Sequence, residues 1–149
     1  MVEQVTANNT TYAPSLLRIC IDQIADGKMQ GRIIGVAVPE IVFFRGMAEF
    51  TCKIDELYNK IGNPQAFQVM RSFAKEDDYN SFKGSPNIYH SAAEINRYCG
   101  QVVTFHMIMT SRTGAEWQGI LKNIDGEIIN HYKTVLECIN AVENFCKAL

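Results

Sequence analysis

Residues 117–137 read WQGILKNIDGEIINHYKTVLE and carry the clearest structural signals in the chain. Asp125-Gly126 separates two runs that are rich in branched apolar side chains. An Asp-Gly pair in this setting is typical of a tight hairpin turn. We therefore predict two antiparallel strands, over 117–124 and 127–132.

The end of the same stretch indicates the start of a helix. Thr134 is followed three residues later by Glu137, which is the spacing of a capping box. Apolar residues then recur at helical intervals. We predict a helix over 135–149.

The strand that precedes this hairpin has an alternating pattern. Phe105, Met107 and Met109 fall on one face, opposite His106 and Thr110. Period-two alternation of this kind is typical of a half-buried strand. The chain from 103 onward therefore reads as three strands and a helix, βββα.

The same order of signals occurs earlier in the chain, at an offset of 88 residues. Leu17, Ile19 and Ile21 alternate with more polar residues and predict a strand. We predict a turn at Asp26-Gly27, then strands over 29–38 and 41–44, and then a helix over 47–61. A glycine stands on either side of this helix.

These patterns predict an α+β fold made of two βββα pseudo-repeats, each an antiparallel meander followed by a helix. The pseudo-repeats cover 15–61 and 103–149, and a linking segment covers 62–102. The chain of 149 residues has the length of one domain, so we expect 1–149 to form a single domain. The sequence leaves open whether the halves share one sheet or pack face to face.

The linking segment predicts one extra strand, a loop and a short helix. The strand-like run covers 67–73, and the polar, turn-prone residues 74–84 follow it. Ser91 and Glu94 have the spacing that caps a short helix over 92–98.

Short motifs carry a family resemblance: W-x-G at 117–119, an aromatic-basic-Thr step at 132–134, G-R-I at 31–33 and N-P-Q at 63–65. With them the chain resembles uncharacterised small proteins of Gram-positive anaerobic bacteria. Those proteins pair a W-x-G strand with a terminal S/T-x-L-E-L-L type helix. The resemblance implies the same fold plan and a bacterial, cytoplasmic origin, and it implies no catalytic residues.

Composition and charge narrow the class of protein. Fourteen basic and sixteen acidic residues give a net charge of −2, and the arginines are scattered, so we do not expect nucleic-acid binding. The first residues lack the pattern of a signal peptide, and the longest apolar stretch, 33–44, is too short to span a membrane. Five widely spaced cysteines form no C-x-x-C pair, which favours reduced thiols and a cytoplasmic location.

No motif predicts catalysis, a cofactor or a metal site. His90, His106 and His131 lack the spacing of metal ligands, and we expect them to be solvated or to make single hydrogen bonds. Cys99, close to Arg97, is the most plausible exposed thiol, and its reactivity is left open. We therefore predict that the protein is not an enzyme.

Two residues are candidates for binding. Trp117, the only tryptophan, is either a core anchor or an interface hot spot. Arg71 lies in an apolar run, where it is either solvated or an anion ligand.

The function predicted from the sequence is a non-catalytic interaction or regulatory module. Its partner is a second copy of the chain, in a homodimer, or another protein, because an open antiparallel sheet leaves edge strands that can pair. The alternative is a protein that binds a small metabolite or anion in a pocket between the two halves, with arginines and Trp117 near its mouth.

Overall fold

The structure is a computed structural model that describes residues 11–62, 66–67, 86–113 and 116–149. Seven strands and three helices follow one another in these ranges. They are β1 (Leu16–Ala25), β2 (Lys28–Ile34), β3 (Val42–Arg45), α1 (Met47–Ile61), β4 (Ala66–Phe67), α2 (Ala92–Ile95), β5 (Val103–Thr113), β6 (Gln118–Asn123), β7 (Ile128–Tyr132) and α3 (Val135–Lys147).

Six of the strands form one antiparallel sheet in the order β3-β2-β1-β5-β6-β7. The two-residue strand β4 pairs in parallel with the end of β5. The predicted α+β class is confirmed, and the question left open by the sequence is answered, because both halves contribute to a single sheet. The repeat relation between the halves stays a prediction.

The strand pairing of the two meanders has a common offset. Ile19 pairs with Ile33 across β1 and β2, and 88 positions later Met107 pairs with Leu121 across β5 and β6. One irregularity interrupts each of these ladders, and the two irregularities are also 88 positions apart.

A glycine occupies the same place in each meander. A Cβ on Gly31 would collide with the carbonyl oxygen of Cys20, and one on Gly119 would collide with the carbonyl oxygen of Ile108. Both positions therefore require glycine because the neighbouring strand approaches too closely for a side chain.

Both long helices pack on one side of the sheet, which we call the helix face. The alternation predicted for β1 and β5 is confirmed, since the predicted apolar side chains of both strands lie in the main core on this face. Residues of α1 and α3 belong to the same core cluster. The opposite side, the outer face, carries Arg18, Cys20 and His106.

The ends of the long helices follow the predicted signals with one correction. The predicted range of α1 is confirmed at both ends, and Gly62 caps it with a left-handed φ of 73°. At α3, the Thr134 hydroxyl accepts the N–H of Glu137 at 3.0 Å, as expected. The Glu137 carboxylate, however, accepts the N–H of Lys133 at 2.7 Å, so the reciprocal half of the capping box is displaced by one residue.

Other boundaries differ from the predictions. β2 ends at Ile34 and not at Val38, because a turn closes with a 3.1 Å bond from the Val38 N–H to the Gly35 carbonyl. The short helix α2 ends at Ile95 rather than at residue 98. The predicted strand 67–73 is described only at its first residue, and the remainder, with the predicted loop 74–84, lies outside the described residues.

Candidate ligand cleft

Residues 86–99, which we call the covering segment, lie over the outer face of the first half. The N–H groups of Tyr89 and His90 both donate to the Val36 carbonyl, at 2.8 and 3.2 Å. Beneath the segment is a second apolar cluster, in which Ile95 of α2 is completely buried. Its members are Cys20, Ile34, Val36 and Ile95, with Tyr12, Ile41 and Tyr98 packed against them.

Arg18 connects the sheet to the covering segment. Its side chain lies in the interior, with 4% of the residue exposed. Nε donates to the Tyr98 carbonyl at 2.6 Å, and Nη1 donates to Asn96 Oδ1 at 3.2 Å. Nη2 contacts the Cys99 sulfur at 3.7 Å. This guanidinium therefore fixes the end of the covering segment through neutral acceptors.

His106 lies directly across from Arg18 on β5, and its Nε2 is 3.0 Å from Arg18 Nη1. Because a guanidinium only donates, Nε2 of His106 accepts, and the neutral ring carries its proton on Nδ1. Burial, followed by the charges of Arg18 and Lys122, lowers the pKa of His106 to about 4. Of the two states expected for this histidine, the solvated one is excluded, since the residue is buried.

An ion pair fixes the chain just beyond this point. Arg32 donates through Nε and Nη2 to the two carboxylate oxygens of Asp22, at 2.7 and 2.9 Å. Arg32 Nη2 also donates to the Cys99 carbonyl at 2.8 Å, and the Gln101 N–H donates to Asp22 at 3.2 Å. The hydrogen bond from Arg32 is the main reason that the pKa of Asp22 is lowered.

A cleft of about 550 Å³ opens between the covering segment and the connection from β2 to β3. Its floor is apolar and consists of buried Ile34, Val38 and Ile95. The residues around this floor are Pro39, Glu40 and Ile41 on the β2–β3 connection, and His90, Glu94, Arg97 and Tyr98 on the covering segment.

His90 joins the two walls of the cleft. Its Nε2 is 3.2 Å from the Pro39 carbonyl, and since a carbonyl only accepts, Nε2 carries the proton. Its Nδ1 is 3.8 Å from Glu94 Oε2. The capping box predicted for Ser91 and Glu94 is present in full, and the Ser91 backbone N–H is the main cause of a lowered pKa at Glu94.

Two charged side chains of the cleft make no such contacts. Within the described part of the chain, Glu40 and Arg97 have no side-chain hydrogen bond and no ion pair. They lie on opposite walls, since Glu40 belongs to the β2–β3 connection and Arg97 to the covering segment. Among its described residues, the cleft therefore offers one free anion and one free cation above an apolar floor.

The candidate residues from the sequence lie elsewhere. Trp117 is 2% exposed in the main core on the helix face, so a partner reaches it only if that packing opens. Arg71 lies outside the described residues. Cys99 is exposed, as expected, and so is Cys52. The cleft is formed by the first half and the linking segment, not by both halves, and Trp117 does not line it.

The sequence contained a signal for each of the two segments that form the cleft, but no signal that these segments lie next to each other. Pro39-Glu40 interrupts an apolar run, and the Ser91 and Glu94 pair caps α2, so both segments were recognisable. About fifty residues separate them. Arg18, which holds the covering segment in place, resembled an ordinary outward-facing residue of a strand.

The described ranges contain neither a metal-binding cluster nor a helix that could cross a membrane. No group of three or more histidine, cysteine, aspartate or glutamate residues there is arranged to hold a metal ion. None of the helices described has the length and apolar character needed to cross a membrane. Comparisons of the chain with protein-family models, curated proteins and solved structures found no match.

Proposed function

We propose that this protein is a non-catalytic binding protein that takes a small ligand in the cleft of its first half. The observation that carries the proposal is the cleft itself, with a volume of about 550 Å³, a buried apolar floor and free charges at its rim. Ligand pockets are typically about 300–1,000 Å³, mostly apolar, with a few polar groups that orient the ligand.

The fixed walls favour binding. Arg18 and the Arg32–Asp22 pair hold the covering segment to the sheet through charge-assisted hydrogen bonds. A ligand that enters a preformed cleft orders fewer protein groups, so less of its interaction free energy is lost.

The polar groups support binding rather than catalysis. Each ring nitrogen of His90 faces a group of the protein, Pro39 on one side and Glu94 on the other. A nucleophile beside this histidine would indicate covalent catalysis, and the described lining of the cleft contains no serine, threonine or cysteine. The proposal therefore assigns no nucleophile to the cleft.

The test is thermal unfolding of the full chain against a panel of metabolites, with two tryptophan variants. Ile41→Trp fills the cleft, and Ile128→Trp is the matched control at a position that is 53% exposed on β7. A ligand at a hundredfold excess over its Kd stabilises by about 2.7 kcal/mol. We expect that shift in the wild type and in the control, and its loss in Ile41→Trp. No shift with any compound, or a shift that Ile41→Trp retains, would contradict the proposal.

A second candidate function is the interaction module, either as a homodimer or with another protein. It is favoured by exposed apolar residues in the second half, where Ile124 and Ile128 are each 53% exposed. Sedimentation across a range of concentrations tests self-association. We expect Ile124→Lys to weaken any dimer, whereas a monomer at all concentrations contradicts the homodimer.

We also propose that the chain is one domain made of two pseudo-repeats and that the protein is bacterial and cytoplasmic. The shared offset of 88 in strand pairing supports the interpretation of 15–61 and 103–149 as pseudo-repeats within one domain. Buried free thiols at Cys20, Cys138 and Cys146 support a reducing, cytoplasmic location. The resemblance to small proteins of Gram-positive anaerobes is consistent with the pseudo-repeats and with the cytoplasmic location.

A further inference from the structure

The two unpartnered charges of the cleft have opposite signs and lie on opposite walls. Glu40 and Arg97 are both exposed side chains at the rim, above the floor of Ile34, Val38 and Ile95. Among the described residues, no ion pair of 4.0 Å or less joins Glu40 to Arg97, and both side chains line the cleft of about 550 Å³.

Two further side chains that can carry a charge near neutral pH, His90 and Glu94, also line the cleft. His90 and Glu94 face each other, and Glu94 also accepts the N–H of Ser91 at 2.8 Å. The Tyr98 carbonyl accepts from Arg18. Recognition of a charged ligand therefore falls to Glu40 and Arg97.

We propose, on the basis of the ligand-binding function above, that the cleft takes a small zwitterion with an apolar body. Its carboxylate faces Arg97, because a guanidinium matches a carboxylate with two parallel hydrogen bonds. Its ammonium group faces Glu40, and its apolar body lies on the floor. Free amino acids with branched or aromatic side chains are the simplest members of this class.

The experiment is calorimetric titration of the full chain with leucine and two analogues that each lack one charge. The analogue 4-methylpentanoate has no ammonium group, and 3-methylbutylamine has no carboxylate. A hydrogen bond to a charged group contributes about 1.5–3 kcal/mol, so each analogue is expected to bind at least about tenfold more weakly than leucine.

Charge-removing variants assign each group of the ligand to a wall. Glu40→Gln is expected to weaken leucine binding about tenfold and to leave 4-methylpentanoate unchanged. Arg97→Gln is expected to weaken leucine and 4-methylpentanoate and to leave 3-methylbutylamine unchanged. The matched controls are Glu56→Gln and Lys147→Gln, at exposed helical positions, and neither is expected to change any affinity.

Each contrary outcome identifies which statement fails. Equal affinity for leucine and 4-methylpentanoate, with no effect of Glu40→Gln, overturns the zwitterion. Absence of binding by all three probes also overturns it. In both cases the cleft remains a ligand site if the metabolite panel gives a shift that Ile41→Trp abolishes, and the proposed function fails only if that panel fails as well.

Discussion

The two halves of the sheet share their strand pairing and differ in what lies over them. Positions related by the offset of 88 show the difference, since Val36 is 3% exposed beneath the covering segment and Ile124 is 53% exposed. Buried Ile34 likewise corresponds to Lys122, which is only partly buried. The strand framework therefore does not define the site, and the cleft exists because the linking segment lies over one half.

The centre of the sheet shows how this asymmetry is established. Arg18 and His106 occupy equivalent positions at the offset of 88 and are direct partners across β1 and β5. One side chain is a charged donor and the other a neutral acceptor. Arg18 directs its remaining donors to the covering segment, which binds that segment to the first half.

The largest expected effect comes from removing that anchor. Arg18→Ala leaves the Tyr98 carbonyl without its side-chain donor and Asn96 Oδ1 with only the Tyr12 hydroxyl, and it removes a buried side chain. We expect a loss of about 3 kcal/mol in the free energy of unfolding, measured by urea denaturation. Hydrogen exchange at the Tyr89 and His90 amides is expected to accelerate. Unchanged protection there would show that the segment is held by other contacts.

The glycine pair tests whether the frameworks are alike. Gly31→Ala and Gly119→Ala each place a Cβ against a backbone carbonyl, so each is expected to destabilise by about 2 kcal/mol in the same denaturation experiment. A large cost at only one position would mean that the two meanders do not share this close approach.

Side-chain truncation at two equivalent positions tests whether the covering segment buries only the first half of the sheet. Val36→Ala removes buried methyl groups and is expected to cost about 1.5 kcal/mol. Ile124→Ala acts on an exposed side chain and is expected to change stability by less than about 0.5 kcal/mol. Equal losses in the free energy of unfolding, measured by thermal unfolding, would contradict this difference between the two halves.

The last comparison concerns pH, because His106 makes the stability of the protein depend on pH. The pKa of this histidine is about 4 in the folded protein, below its ordinary value, so the fold favours the neutral ring. Its contribution to stability is complete above about pH 6.5 and is lost as the pH falls toward 4. The free energy of unfolding is expected to fall by at most about 1.4 kcal/mol per pH unit in this range.

A variant isolates this contribution from that of Asp22, whose lowered pKa also reduces stability in acid. His106→Gln keeps an acceptor for Arg18 and removes the titrating ring. We expect a shallower slope between pH 6.5 and 4 in urea denaturation of this variant. An identical slope would mean that His106 does not contribute.

Local patterns predicted the framework well, because they depend on neighbouring residues. The alternation in β1 and β5 and the glycines around α1 each act within a few positions. The predicted strand over 29–38 extended too far into an apolar run. Val36–Val38 are buried by packing and not by strand pairing. Periodicity alone cannot distinguish these two causes of an apolar run.

The site could not be predicted in the same way. Its anchor, Arg18, finds its partners 78–88 residues away, and nothing in its own neighbourhood indicates burial. The sequence favoured Trp117 for its residue type, but its place before β6 puts it in the main core. The type of a residue indicates only which functions it is suited to. The position of the covering segment determines which residues line the cleft.

The most direct test of the central claim is amide chemical-shift mapping of the full chain, titrated with the panel compound that gives the largest thermal shift. The cleft predicts saturable changes confined to residues around 38–41 and 90–98, with none at the equivalent positions 126–129 of the second half. Changes centred on the second half, or spread evenly over both, would contradict the assignment of ligand binding to the covered half.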